Sequence, residues 1–279
     1  MSKTAMVQND VADFKPVAKQ LRVDIIRMIE AAGSGHPGGS LSVIDLLTVL
    51  YLKFLRHDPK RPDWPERDRV ILSKGHACPA LYAVMAYSGY FPKENLMTLR
   101  KLGSPLQGHP DRLRLPGIEF SSGSLGQGLS VGIGMALAAK LDKKDFKTYV
   151  ILGDGEIQEG QCWEAFMAAP RFKLDNLIMI LDHNNGQIDG HVDEVMPIDP
   201  MEDKLKSFGW EVSSIDGHDF AQIEKAFTQA QKANGVPHAI VAKTVKGKGV
   251  SFMENVIAWH GKAPNKEEAD RAVEEILNA

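Results

Sequence analysis

Between Pro16 and Ala32 the apolar residues Val17, Leu21, Ile25, Met28 and Ile29 recur at helical spacing, with a proline at the start that suits a first turn. This predicts an amphipathic helix. The run Gly33-Ser34-Gly35-His36-Pro37-Gly38-Gly39 stops it, and a second, more uniformly apolar helix is predicted from about Leu41 to Leu55. His36 is thereby placed in a tight loop between helices. Val70-Ile71-Leu72 then leads into Ser73-Lys74-Gly75-His76, and a helical pattern resumes from Pro79 to Tyr87. A region rich in glycine and proline carries His109 and leads to Gly123-Ser124-Leu125-Gly126-Gln127-Gly128, after which Leu129 to Leu141 reads as a helix of small residues.

The pattern changes at Thr148 to Leu152, a short continuous apolar run followed at once by Gly153-Asp154-Gly155 and by a helix around Glu159 to Ala169. Asn176 to Leu181 repeats the run. Two buried strands joined by a helix predict a right-handed βαβ unit, whose ligands bind outside the carboxyl ends of the strands. Further on, Trp210 to Val212 and Ala239 to Ala242 read as strands, Phe220 to Ala233 as a helix, and the charged stretch from Lys266 as a helix on the outside. We expect an α/β fold, a doubly wound and mostly parallel sheet with helices on both faces. One domain is expected over residues 1–279, with a short flexible N-terminus of about 1–13.

Composition narrows the function classes. With 43% hydrophobic, 25% charged and 7% aromatic residues among 279, the chain reads as an ordinary globular protein and not as a disordered, collagenous or disulfide-framed one. Its 33 Lys and Arg against 36 Asp and Glu leave no excess positive charge to neutralise a nucleic-acid backbone. Cys78 and Cys162 form no C-x-x-C pair and are expected as buried, neutral thiols in a reducing compartment. Neither a secretory signal nor a membrane-spanning run is read, so a cytoplasmic location is expected, without nucleic-acid or membrane partners.

Asp154 and Asn184 each fall just past a predicted strand, and a single strand-helix-strand connection would set them on one rim of the sheet. One shared ligand follows. A carboxylate, an amide carbonyl and a free main-chain carbonyl in Asn184-Asn185-Gly186 are hard oxygen donors, suited to Mg²⁺, with Ca²⁺ as a possible substitute, and poor for zinc. Three protein oxygens leave about half an octahedral shell to water and phosphate oxygens. Gly153 and Gly155 would let the chain approach that anion, and the next helix offers it unpaired amides. Plain turns are the competing reading, because Asp, Asn and Gly favour them. The joint occurrence at two strand ends favours a metal–diphosphate site.

Other candidates are weaker on their own. His57, His183, His191, His218 and His238 are read as satisfied loop or core residues. Lys246 and Lys248 are read as a solvated basic loop, since Ala242 and the absence of Ser or Thr after Lys248 break the phosphate-loop pattern. Glycines 126 to 134 do not follow an apolar strand as a dinucleotide fingerprint requires. Glu159 could be no more than a dipole partner on the first turn of its helix.

Taken together, Gly153-Asp154-Gly155-Glu156-Ile157-Gln158-Glu159-Gly160 and Leu181-Asp182-His183-Asn184-Asn185 resemble the signature of thiamine-diphosphate enzymes, and within them of the transketolase family. Gly35-His36-Pro37-Gly38, Lys74-Gly75-His76-Ala77, Gly108-His109-Pro110 and Trp259-His260-Gly261-Lys262 are similar to four histidine motifs of that family and arrive in its order. The resemblance implies that His76 and His260 hydrogen-bond the diphosphate, while His36, His109 and His260 face the hydroxyls of a ketose donor. It implies that Gly123 and Leu125 line the cofactor and that Ile188 presses on its thiazolium ring. Ser124 departs from the family's usual proline. Glu159 would instead join a carboxylate chain between two active sites at a subunit interface.

In this family the carboxylate that serves the aminopyrimidine, the pyrimidine pocket and the substrate-phosphate clamp belong to a second domain, followed by a third. The resemblance therefore implies a split enzyme. A complementary subunit would carry the pyrimidine-binding and C-terminal domains in an α₂β₂ heterotetramer acting on phosphorylated sugars. A dihydroxyacetone or deoxyxylulose-phosphate synthase, or a non-catalytic assembly protein of the same fold, are the alternatives.

Overall fold

In the computed structural model of the protein, which describes residues 13–279, the long apolar runs become the strands of one sheet. Of the polar N-terminal stretch expected at 1–13, all but Asp13 lies outside the described residues. The helices and strands in chain order are α1 (Lys15–Ala32), α2 (Pro37–Val49), β1 (Arg69–Leu72), α3 (Cys78–Tyr87), α4 (Gln127–Leu141), β2 (Thr148–Gly153), α5 (Gly160–Arg171) and β3 (Leu177–His183). There follow a small hairpin, β4 (Gly186–Gln187) and β5 (Gly190–His191), then α6 (Val192–Val195), α7 (Met201–Phe208), β6 (Glu211–Asp216), α8 (Phe220–Ala230), β7 (His238–Lys243) and α9 (Lys266–Asn278).

The main sheet runs β1-β2-β3-β7-β6, and each neighbouring pair is parallel. Strand residues alternate between two cores, as the two-residue period requires. Tyr149, Ile151, Ile178, Ile180 and Ile240 join α1, α2, α3 and α8 on one face. Val150, Leu152, Leu177, Met179, Leu181 and Val241 face α4, α5 and α7 on the other. Both faces are covered, which is why β2 from Tyr149 to Leu152 and β3 from Leu177 to Leu181 run apolar instead of alternating. The expected doubly wound architecture is what forms.

Local chemistry sets the element ends that matter for the site. Gly33 adopts the left-handed conformation, φ 64°, and closes α1. The second helix begins at Pro37, earlier than the expected Leu41, because a proline costs no hydrogen bond at the first helical position; His36 thus becomes the N-cap residue. All thirteen residues of α2 are buried, as a helix apolar on every side demands. From β3 the chain crosses to the edge strand β6 and returns through β7 beside β3. The strand order therefore reverses at β3/β7, and a crevice opens outside the carboxyl ends there.

Candidate active site

A cavity of about 340 Å³ occupies that crevice. Asp154, one residue beyond β2, and Asn184, one beyond β3, both line it; the pairing of Gly153 with Asp182 sets the two strand tips side by side. Asp154 is 2% exposed, and among the described residues its carboxylate accepts only from main-chain amides, Gly155 N at 2.9 Å and Asn185 N. Burial, and then the charge of Asp182, push its carboxyl above the ordinary range, against the pull of His183 and Lys246. Asn184 accepts from Gly186 N at 3.0 Å and donates to Ser42 Oγ at 3.2 Å and Asp182 at 3.1 Å.

The Gly186 carbonyl is not free, contrary to the reading from sequence: it accepts from Lys246 Nζ at 2.9 Å. Nor is Lys246 part of a solvated loop, being 2% exposed and on the cavity wall. After β7 the chain folds back under α2, where Gly247 N donates to Gly38 O at 3.0 Å, and this drives the Lys246 side chain inward. At Gly186 a Cβ would come within 2.6 Å of Lys246 Cδ, so the approach requires glycine. Burial and neighbouring Lys74 lower the ammonium to about 8, opposed by Asp154 and Asp182. Lys248 is partly exposed and lies 3.5 Å from Glu254. Sequence spacing tests these lysines only against a phosphate loop and so misses the fold-back.

Three histidines from separate loops converge. His76 lies on the turn after β1, His36 precedes α2, and His260 ends the turn Ile257–Trp259; ring centroids are 5.2 Å (His36–His76), 5.2 Å (His76–His260) and 5.6 Å (His36–His260) apart. Burial, with nearby positive charge, lowers all three, His36 to about 4 and His260 to about 3, so the rings are neutral at pH 7. The Nδ1 atoms of His36 and His260 are buried and find no partner among the described residues. His109 stands apart and exposed, packed on Gly123, whose φ of 140° and 3.3 Å clearance from the ring leave little room for a side chain. Leu125, Gly153, Gly155 and the exposed Ile188 complete the wall.

Glu159 is the N-cap residue of α5 and not in its first turn; it is exposed on the cavity rim and makes no capping hydrogen bond. The buried glutamate is Glu156, which sequence reasoning passes over. Its carboxylate accepts from Ser73 Oγ, from Gly126 N at 3.0 Å and from Gly153 N at 3.1 Å, tying the ends of β1 and β2 to the start of α4. Lys74 and Asp182 are also missed. Asp182 is fully buried and bonded to Lys74, Ser42, Thr244 and Asn184; burial would raise its carboxyl, but Lys74 and these donors hold it below the ordinary value. An aspartate inside an otherwise apolar strand was the available signal.

Of the remaining histidines, His57, His191, His218 and His238 are hydrogen-bonded, as expected, whereas His183 makes no side-chain hydrogen bond among the described residues. His57 bonds Tyr90 and Tyr51, His238 bonds Ser213, and His218 bonds Asp45 and Val245. His191 lies 3.3 Å from the Asn185 carbonyl, and His183 lies 3.6 Å from Asp199. Both cysteines are buried, and burial pushes each thiol to about 12. Among the described residues no group of three or more His, Cys, Asp and Glu could hold a metal, and no helix is long and apolar enough to cross a membrane.

A crevice at the reversal of a parallel sheet, walled by a buried carboxylate, a buried ammonium and neutral imidazoles, has the lining of a polar ligand site in an α/β protein. Residues 14–277 match the family described as transketolase, thiamine diphosphate binding domain. The sequence is 47% identical over 264 residues to the 6-deoxy-6-sulfo-D-fructose transketolase subunit SqwG of Clostridium sp., spanning 95% of this chain and 96% of that protein. It is 44% identical to an apulose-4-phosphate transketolase subunit of Phocaeicola vulgatus, over 91% and 90% of the two lengths. The solved transketolase of Campylobacter jejuni superposes with a TM-score of 0.90 at 38% identity, over 96% of this chain but only 43% of that one. This chain belongs to the transketolase family and comprises its thiamine diphosphate binding domain. It spans less than half the length of the Campylobacter transketolase.

Proposed function

We propose that this chain is the diphosphate-binding subunit of a two-subunit transketolase that passes a two-carbon ketol unit from a ketose phosphate to an aldose phosphate. Its partner would carry the pyrimidine-binding and C-terminal domains, in an α₂β₂ assembly. Supporting the split is the near end-to-end match to two proteins that are each named as a subunit.

One observation carries the reading. Asp154, Asn184 and Gly186 line the same cavity as His76 and His260, with the His36 ring 5.2 Å from His76 and 5.6 Å from His260, and the buried Nδ1 atoms of His36 and His260 have no partner among the described residues. The oxygens already attract a cation, the Lys246 ammonium at Gly186. Mg²⁺ fits this donor set, with Ca²⁺ as a substitute, and the cofactor's diphosphate would fill its shell. Lys246, His76 and His260 would hold the phosphate oxygens, and Leu125 and Ile188 the apolar part. When bound, thiamine diphosphate supplies the carrier for the two-carbon unit. The chain's own work is to orient and to relay protons: neutral imidazoles at His36, His109 and His260 both donate to and accept from sugar hydroxyls. Glu159, exposed on the rim, would face the partner.

Co-expressed with the product of an adjacent reading frame, and supplied with thiamine diphosphate and Mg²⁺, the complex should convert xylulose 5-phosphate and ribose 5-phosphate to sedoheptulose 7-phosphate. A cofactor-loaded complex inert on these sugars, and on 6-deoxy-6-sulfofructose and apulose 4-phosphate, would overturn the assignment.

A further inference from the structure

The segment Val245–Lys248, which carries Lys246 to the cavity wall, is also held from behind. Val245 N donates to His218 Nε2 at 2.9 Å, and the Lys248 carbonyl accepts from Arg22 Nε at 3.2 Å. Both holding residues converge on Asp45: Arg22 donates to its two oxygens at 2.8 and 2.7 Å, and His218 Nδ1 lies 2.8 Å from Oδ2. An amide can only donate, so Nε2 is the bare nitrogen and Nδ1 carries the proton toward Asp45. Asp45 is 3% and Arg22 9% exposed. A buried ion pair of this kind is a poor source of net stability, because desolvation offsets its attraction, but its two-pronged geometry fixes position well.

We propose that Arg22, Asp45 and His218 are positioning residues that hold Lys246 against the diphosphate pocket. They come from α1, α2 and the turn before α8, and grip the outer main-chain groups of the two residues flanking Lys246-Gly247, the amide of Val245 and the carbonyl of Lys248. The carbonyl of Lys246 itself is taken by Asn255 N at 2.8 Å, while its ammonium, bonded to the Gly186 carbonyl at 2.9 Å, is the part on the cavity wall. The clamp makes no contact with the cavity; it acts through the backbone. Its relevance to cofactor rests on the diphosphate reading above.

The test uses the full-length chain and thiamine diphosphate with Mg²⁺, titrated calorimetrically, alongside amide hydrogen exchange of residues 245–248. His218→Ala should weaken binding about tenfold, the usual scale for outer-shell partners, and speed exchange in that segment. His218→Gln, whose amide can donate to Asp45 and accept from Val245, should restore both. Should His218→Ala fail to fold, Arg22→Lys serves instead, since it keeps the charge but cannot span Asp45 and Lys248 O together; it should show the same pair of changes. Unchanged exchange and affinity in either variant, or a glutamine variant no better than alanine, overturns the clamp. If the wild-type chain and its assembled complex bind no thiamine diphosphate, the functional reading fails, while the exchange measurement still decides whether the segment is clamped.

Discussion

The same rim of the same sheet treats histidine in two ways. Above β1, β2 and β3, His36 and His260 keep buried Nδ1 atoms with no partner among the described residues, and burial holds both rings neutral. Above β6 and β7, His218 has both ring nitrogens engaged, by Asp45 and by Val245. A buried polar atom left unpaired costs free energy, so a fold keeps one only where something else repays it. The carboxylates divide in the same way. Asp182 is saturated by Lys74, Ser42, Thr244 and Asn184, whereas Asp154, one strand away, meets only amides and faces the cavity. On this rim the residues that line or adjoin the cavity are thus less fully bonded than those packed behind it.

The largest effect expected from this division comes from Lys74→Met, which leaves Asp182 as an uncompensated buried charge. Chemical denaturation should show a loss of about 3–5 kcal/mol. Asp154→Ala, by contrast, removes a carboxylate that is costly to the free fold. It should leave stability intact or raised while weakening thiamine diphosphate binding, in the presence of Mg²⁺, on the order of 100-fold by calorimetry. A large stability loss there would place Asp154 with the structural group.

Next in size are the paired substitutions of the contrasting histidines. His218→Leu should cost about 1–3 kcal/mol, since Asp45 and Val245 N lose a partner, whereas His260→Leu should be neutral or stabilising because it removes an orphan. Equal losses in a thermal melt would erase the contrast. Replacing Glu156 by Gln should cost about 1–3 kcal/mol by leaving one of its three donors unpaired, with no change at Lys246.

The smallest effect concerns pH. His36 and His260 titrate near 4 and 3 in the fold, against 6.5 when unfolded, so between about 4 and 6.5 the unfolded chain binds more protons. Stability should therefore fall as pH drops through that window and be fully present above it. The double variant His36→Asn/His260→Asn should flatten the slope of melting temperature against pH between 6.5 and 4. An unchanged slope would mean that other groups govern it.

Much of the frame was legible along the chain. The apolar runs at Thr148 and Asn176 become β2 and β3, and the expected first helix, Pro16 to Ala32, is found at Lys15–Ala32. Ends drift where helix caps decide: Pro37 advances α2, and α8 stops at Ala230, short of the expected Ala233. The β4/β5 hairpin and α7 escape a reading of the chain, the first being too short for any period and the second only eight residues long. Asp154 and Asn184 are found because strand ends in a βαβ unit are predictable sites. Lys246 is not, because nothing in its neighbours says that the segment doubles back beneath α2.

Residue order alone is enough to mark which segments are buried strands, that both faces of the sheet are covered, and that oxygen donors sit at two adjoining tips. Those are local facts, written in periodicity and in the residues that end each element. It took the folded chain to settle which histidines are left wanting, which of two neighbouring aspartates is neutralised, and whose ammonium enters the cavity. Satisfaction of a buried polar group depends on partners scores of residues away, as Lys74 is from Asp182 and Arg22 from Lys248, and no local pattern records them.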